Sequence, residues 1–437
     1  MTIKRDTYLD RLVRAQGDGF VKIVTGIRRA GKSYLLFRLF KGRLLADGVP
    51  NGNIVEIQLD KRRDAHLRDP DAMYEFLSKK TAKRRGRVYV FIDEIQECKR
   101  PSVAQETAEQ KAEREQEFYD ILNEFRDRDN VDLYVTGSNS RLLVKDVATQ
   151  FRGRGETIHV NPLSFREYYG AVGGDKTEAW SDYLLYGGMP ELVSLRGDDA
   201  KKSYLNGLFT TIYFRDIVER NALADDLFLS RVNDALMSAA GSLTNPTRLA
   251  NSIGSIVGKT PDPRTVGRYL DFLTDAYLFR KAERYDVKGR EYLSSPSKYY
   301  PADIGLRNAR LNFRQVEPSH LMECAIYGEL IARGASVDVG VMEVESRAGG
   351  VREKKQLEID FVVNSGGKKI YIQSAYRLVD AAKREQEIRG LRRIPDSFEK
   401  LVIVDGVQPF YTDEHGISYV SLLDFMLKSE SVLGQKA

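Results

Sequence analysis

One eight-residue stretch does most to limit what this chain can become. Gly26-Ile27-Arg28-Arg29-Ala30-Gly31-Lys32-Ser33 fits the pattern G-x-x-x-x-G-K-[ST]. Phe20 to Val24 comes before it, a short run with β-branched residues that reads as a buried parallel strand. Tyr34 to Phe40 comes after it, with Leu35, Leu36, Leu39 and Phe40 spaced for one helix face. A strand turning through a glycine loop into a helix is the context in which this motif carries meaning. The two glycines let the backbone curl so that its N–H groups face phosphate oxygens, and the helix N-terminus adds a positive partial charge. In that arrangement Lys32 reaches the β- and γ-phosphates and Ser33 ligates Mg²⁺. Gly26, Ile27, Arg28, Arg29, Ala30, Gly31, Lys32, Ser33 and Tyr34 are therefore the candidate nucleotide-binding residues, with ATP and Mg²⁺ as the expected ligands.

A phosphate loop needs an acid at the end of a neighbouring strand. Val88-Tyr89-Val90-Phe91-Ile92 is an apolar run ending in Asp93-Glu94. Asp93 is expected to hold Mg²⁺ through water, and Glu94 to polarise the attacking water. A third strand, Val131 to Thr136, ends in Gly137-Ser138-Asn139-Ser140. A polar residue just past it can lie between the other two sites and touch the γ-phosphate; Asn139 is the first candidate for this sensor and Ser138 the second. In Phe151-Arg152-Gly153-Arg154-Gly155, Arg154 is the candidate for an arginine delivered to a neighbouring subunit, with Arg152 as alternative. A solvated arginine fits the spacing equally well. Between Lys99 and Arg128 the Glu, Ala, Lys and Gln content favours helix, with Phe118, Ile121, Leu122 and Phe125 as its apolar face. The basic cluster Lys79, Lys80, Lys83, Arg84, Arg85 and Arg87 reads by default as a solvated loop, with contact to nucleic acid as the alternative.

At 437 residues the chain is too long for one ordinary core, so two to four domains are expected. A net charge of +5 permits nucleic acid or acidic partners without demanding them. Two distant cysteines and four scattered histidines leave no material for a disulfide framework or a zinc site. The N-terminal residues lack an apolar signal core, and no apolar run is long enough to span a bilayer. A cytoplasmic protein with no membrane partner is the expectation.

The loop at 26–33, Phe91-Ile92-Asp93-Glu94-Ile95-Gln96, Thr136-Gly137-Ser138-Asn139, Gly153-Arg154 and Pro162-Leu163-Ser164-Phe165-Arg166-Glu167 together resemble a widespread prokaryotic family of AAA-type ATPases. That family is related to the origin-recognition and signalling branches. The C-terminal half also resembles that family's, in Tyr186-Gly187-Gly188-Met189-Pro190, Arg215-Asp216-Ile217, Lys298-Tyr299-Tyr300 with Asp303 and Gly305-Leu306-Arg307, Glu358-Ile359-Asp360-Phe361 and Ile372-Gln373. The expected class is α/β: a parallel-sheet AAA ATPase domain over 1–170, a helical lid over 171–225, a winged helix-turn-helix over 226–300 and a restriction-endonuclease-like α/β domain over 301–437.

In the third segment, Asn245 to Ile253 and Arg264 to Leu273 read as two helices around a Gly/Lys/Pro turn, with Tyr277-Leu278-Phe279 opening a strand. Arg264 and Arg268 would face outward, towards DNA phosphate or a protein surface. In the fourth segment, Glu323 on a helix, Asp360 on a strand and Gln373 on the next strand fall where the nuclease fold keeps its metal ligands. Gln373 replaces an acid there, and Ala375 stands where the lysine is expected. A domain that does not cut nucleic acid follows from those departures. The expected function is Mg²⁺-dependent ATP hydrolysis coupled to movement of a DNA-binding C-terminal region, with possible self-assembly. The alternatives are a nucleotide-dependent signalling switch without nucleic acid and, third, a metal-dependent nuclease.

Overall fold

The computed structural model describes residues 2–82, 84–98, 107–137, 151, 153–221, 223, 225–348, 351–365, 367–378, 380–406 and 409–428. The chain divides into two compact units. One holds Ile3–Asn161 with Asp275–Tyr277; the other holds Met1–Thr2, Pro162–Thr274 and Leu278–Ala437.

The first unit is a parallel five-stranded sheet. Its strands are β1 (Val21–Thr25), β2 (Ile54–Gln58), β3 (Val88–Asp93), β4 (Val131–Thr136) and β5 (Gly155–His159), in the order β2-β3-β4-β1-β5. β1, β3 and β4 are buried along their whole length, as their apolar runs require of a sheet covered on both faces. Lys22 interrupts the apolar run of β1 and is fully buried. Its ammonium lies 2.6 Å from Asp132 Oδ1 and 2.6 Å from Asp18 Oδ1. The other oxygen of Asp132 accepts from the Tyr134 hydroxyl at 2.9 Å and from the Gly17 N–H at 2.9 Å. A buried ion pair is tolerable when its remaining donors and acceptors are met in this way.

Because every strand runs the same way, the loops after β1, β3 and β4 open at one edge, and β4 lies between the other two. This is where open α/β sheets place ligands. The charged helix expected between Lys99 and Arg128 spans Ala108–Arg126, started by a capping box between Thr107 and Gln110. Phe118, Leu122 and Phe125 bury its apolar face against the sheet, with Ile121 packed beside them.

The second unit begins with helices Phe165–Val172, Lys176–Tyr186 and Asp198–Leu208, and later holds the eight-stranded mixed sheet. Its strands are β6 (Phe279–Asp286), β7 (Glu291–Pro301), β8 (Ser336–Ala348), β9 (Val351–Ser365), β10 (Lys368–Ala375), β11 (Glu399–Val404), β12 (Tyr411–Thr412) and β13 (Ile417–Ser421). The order is β12-β13-β11-β10-β9-β8-β6-β7. The two helices of the third segment are present as Pro246–Val257, capped by Asn245, and Pro263–Asp275. Val266, Leu270 and Leu273 face inward, while Arg264 and Arg268 are exposed. The strands that follow are not a free-standing wing. β6 pairs parallel with β8 and antiparallel with β7, so they complete one end of the large sheet, and the expected division at residue 300 falls inside β7.

The motifs that hold Leu163, Gly188 and Asp303 meet in one knot. The buried Asp303 carboxylate accepts from Gly188 N at 2.7 Å and from Leu306 N at 3.0 Å, capping the helix Ile304–Arg310. Gly188 in turn accepts from Leu163 N at 2.7 Å. A Cβ on Gly305 would fall 1.7 Å from the Tyr186 carbonyl oxygen, which explains a glycine there. Burial pushes the Asp303 carboxyl up to about 6 against the opposing pull of backbone N–H groups from Gly188, Leu306 and Gly305.

Candidate functional site

The loop from Gly26 to Gly31 is held from below. Gly26 has φ 135° and Gly31 φ 96°, values that a β-carbon opposes. At Gly26 a Cβ would also lie 2.1 Å from the Val160 carbonyl oxygen. Ile27 and Ala30 are buried, Arg28 is half-buried and Arg29 exposed with φ 65°. Arg5, from the N-terminal segment, donates to Ala30 O at 3.3 Å and to Asn161 O at 2.7 Å. Tyr34 accepts from Ile3 N at 3.2 Å. These N-terminal contacts had no signal in the motif.

Lys32 lies buried in the loop, its ammonium donating to Gly26 O at 2.9 Å and Ile27 O at 3.2 Å. Desolvation lowers its pKa, opposed by the carboxylates of Glu94 and Asp93. Asp93, at the end of β3, is raised by burial, opposed by hydrogen bonds from Thr136 and Ser33. A buried ammonium and a buried carboxylate, each with its charge disfavoured by desolvation, make a site suited to an anionic phosphate and a cation together.

The Ser33 hydroxyl donates to Asp93 Oδ1 at 3.0 Å. The Thr136 hydroxyl donates to the same oxygen and accepts from Glu94 N at 3.0 Å. The loop lysine, Ser33, Asp93 and Glu94 are thus brought together as the sequence implied. Thr136 was given no role of its own: it was read as the last residue of a strand and as the first of the Thr136-Gly137-Ser138-Asn139 motif. The signal available was its place at the end of the strand between the other two. Asn139 and Ser138, the sensor candidates, and Arg152 lie outside the described residues.

Glu94 takes the left-handed conformation, φ 54° and ψ 58°, which costs a residue with a β-carbon about 1 kcal/mol or more. The Gln96 side-chain amide donates to Glu94 Oε2. Arg154 lies elsewhere. It precedes β5, and its carbonyl accepts from Val21 N at the start of β1, roughly 16 Å of strand away from Gly26. Its guanidinium is 61% exposed and 3.4 Å from Asp127. It does not serve the phosphate loop of its own chain.

In the second unit, Glu323 on the helix Pro318–Ala332, Asp360 on β9 and Gln373 on β10 do converge. A lysine reaches the cluster from outside the motif, where Ala375 stands in the expected place and Lys368 or Lys369 were the substitutes the sequence offered. Lys298 of β7 donates to Glu323 Oε1 at 2.7 Å and lies 2.7 Å from Glu358 Oε1. The Tyr300 hydroxyl donates to Glu323 Oε1 at 2.7 Å. Asp360 Oδ2 accepts from Gln373 Nε2 at 2.9 Å and Ser374 N at 2.8 Å. Burial and the Glu323 charge push Asp360 up to about 8, opposed by Lys298. Desolvation lowers the Lys298 pKa, but the Glu323, Asp360 and Glu358 charges together outweigh it and the net shift is upward. The sequence hid this residue because it lies on a strand outside the segment assigned to the nuclease-like fold. Among the described residues, no group of three or more His, Cys, Asp or Glu is placed to hold a metal ion.

Comparison with known proteins agrees with the first unit's geometry. Residues 18–169 match a family model described as an AAA domain, and residues 177–317 match a domain of unknown function (DUF8612). The first unit is thus similar to AAA domains, a class of P-loop ATPase associated in general with nucleotide and Mg²⁺. The chain is 29% identical to an uncharacterized protein of Haemophilus influenzae, over 98% of this chain and 99% of that protein. It is 25% identical to an uncharacterized protein of Methanocaldococcus jannaschii, over 85% of this chain and 78% of that one. A solved Walker-type ATPase of Pyrococcus abyssi is similar at 15% identity with a TM-score of 0.48, covering 71% of this chain and 96% of that chain. Among the described residues no helix is long and apolar enough to cross a membrane.

Proposed function

We propose that this protein hydrolyses ATP in a Mg²⁺-dependent reaction at the edge formed by β1, β3 and β4, and that hydrolysis drives a DNA-associated C-terminal region. The observation that carries the reading is the convergence of Lys32, Ser33, Asp93, Thr136 and Glu94 at that edge. The donor set fits the metal: Ser33 Oγ and Asp93 Oδ1 are hard oxygens 3.0 Å apart. Bound there, Mg²⁺ would neutralise phosphate charge. Lys32 exchanges its loop carbonyls for phosphate oxygens. Thr136 fixes Asp93 on one side and the Glu94 backbone on the other. Glu94 accepts the proton of the attacking water.

DNA contact is proposed through the exposed Arg264 and Arg268 on the second helix of the Pro246–Asp275 pair. The test is ATP turnover with and without DNA at several salt concentrations. Stimulation that weakens as salt rises supports the DNA-associated reading. Turnover indifferent to nucleic acid favours a nucleotide-dependent switch acting on proteins. No nucleotide uptake at all with Mg²⁺ present removes the ATPase reading.

A further inference from the structure

The turn after Asp93-Glu94 is built more firmly than a strand end requires. Ile95 is buried in the core of the first unit. The short helical turn Ile95–Glu97 closes through Glu97 N to Glu94 O at 2.9 Å and Cys98 N to Ile95 O at 3.0 Å. Cys98 is buried as well, its thiol directed at Leu67 O at 3.7 Å. With Ile95 and Cys98 anchored inward, Gln96 is left half-buried beside Glu94, and its amide nitrogen reaches back two residues to Glu94 Oε2.

Two devices therefore act on Glu94 from opposite ends. The Thr136 hydroxyl accepts from its backbone N–H at 3.0 Å and holds the left-handed backbone. The Gln96 amide takes one carboxylate oxygen. A glutamate side chain has three rotatable bonds, and freezing them costs conformational entropy. A neutral donor on one oxygen removes part of that freedom before substrate arrives. Preorganisation of this kind acts on the chemical step more than on binding.

We propose that Gln96 is a positioning residue for the hydrolysis read above: its amide sets the orientation of the Glu94 carboxylate. The inference rests on that reading and deepens it. Gln96 touches neither nucleotide nor metal in this scheme and works through Glu94 alone, so its effect must vanish when Glu94 can no longer act as a base.

The experiment compares full-length protein, Gln96→Ala, Glu94→Gln and the double variant, measuring ATP turnover, nucleotide affinity and thermal midpoint. Gln96→Ala lowers kcat roughly tenfold, the range of one lost orienting contact, with nucleotide affinity and thermal midpoint unchanged. The double variant turns over no more slowly than Glu94→Gln. In the nucleotide-free protein, amide exchange over residues 94–98 is faster in Gln96→Ala. Gln96→Glu, which sets a second carboxylate against the first, falls at least as far as alanine. Equal losses from Gln96→Ala in both backgrounds, or turnover unchanged or raised, would overturn the inference while leaving the ATPase reading intact. An absence of turnover in the unaltered protein overturns both together, and the affinity measurement then shows whether nucleotide binding survives.

Discussion

The Thr136 hydroxyl links the two acidic residues of this site: it donates to the Asp93 carboxylate and accepts from the Glu94 N–H at 3.0 Å. One small side chain thus orders both Asp93, the proposed Mg²⁺ ligand, and the backbone of Glu94, the proposed base. Thr136→Val keeps the shape and removes both bonds. It leaves a buried carboxylate with one hydroxyl fewer and Glu94 N–H without that acceptor, so turnover falls by tenfold or more. Thr136→Ser keeps both bonds and retains most activity. Steady-state turnover of the two variants checks this; equal activity in valine and serine forms would remove Thr136 from the account.

Lys32 and Glu94 separate binding from chemistry. Lys32→Ala deletes the buried ammonium and lowers nucleotide affinity or turnover strongly. Glu94→Gln keeps the volume and loses the basicity, so it binds ATP and hydrolyses it poorly. Binding by titration and turnover by phosphate release distinguish them. Unchanged turnover in Glu94→Gln would exclude Glu94 as the base.

Much of this site was legible because its parts are local in sequence. The loop glycines, Lys32 and Ser33 follow one strand, and Asp93 and Glu94 end another; parallel pairing then forces them to one edge. What was not legible depends on long-range contacts. Thr136 becomes functional only because β4 inserts between β1 and β3. Arg5 meets Asn161 across 156 residues. Lys298 reaches Glu323 and Glu358 from an edge strand that local pattern assigned to a wing. Helix existence was read well in the 245–275 segment because caps and apolar spacing are local, whereas the fate of the following strands is a matter of sheet partners that sequence spacing does not specify.

Arg154 lies at the edge of its sheet away from its own phosphate loop and is largely exposed. A catalytic role for it therefore requires a second copy of the chain. Arg154→Ala is expected to lose turnover while keeping nucleotide affinity. Mixing it with Lys32→Ala subunits restores activity if one subunit supplies the arginine and the other the loop. Full activity of Arg154→Ala alone would show it to be a solvated surface residue paired with Asp127.

The Lys298 cluster sets a pH dependence of stability with a definite sign. Burial and the Glu323 charge hold the Asp360 pKa at about 8 in the folded chain, against about 4 for an unfolded aspartate. Between those values the native state binds more protons than the unfolded state, so this group makes stability fall as pH rises from about 4 towards 8. Lys298 is shifted upward, so its favourable contribution persists across that window and does not cancel the slope. Asp360→Asn keeps an oxygen for Gln373 Nε2 and Ser374 N and removes the titrating proton. Denaturation midpoints at pH 5, 6.5 and 8 should decline less steeply in Asp360→Asn than in the unaltered protein. The same ammonium occupies Glu323, one of the residues that a nuclease would turn towards a metal, so the protein is expected to show no Mg²⁺- or Mn²⁺-dependent DNA cleavage. Cleavage that disappears in Asp360→Ala would show instead that Lys298 yields to the metal, and equal pH slopes in both proteins would mean that Asp360 is already ionised in the fold.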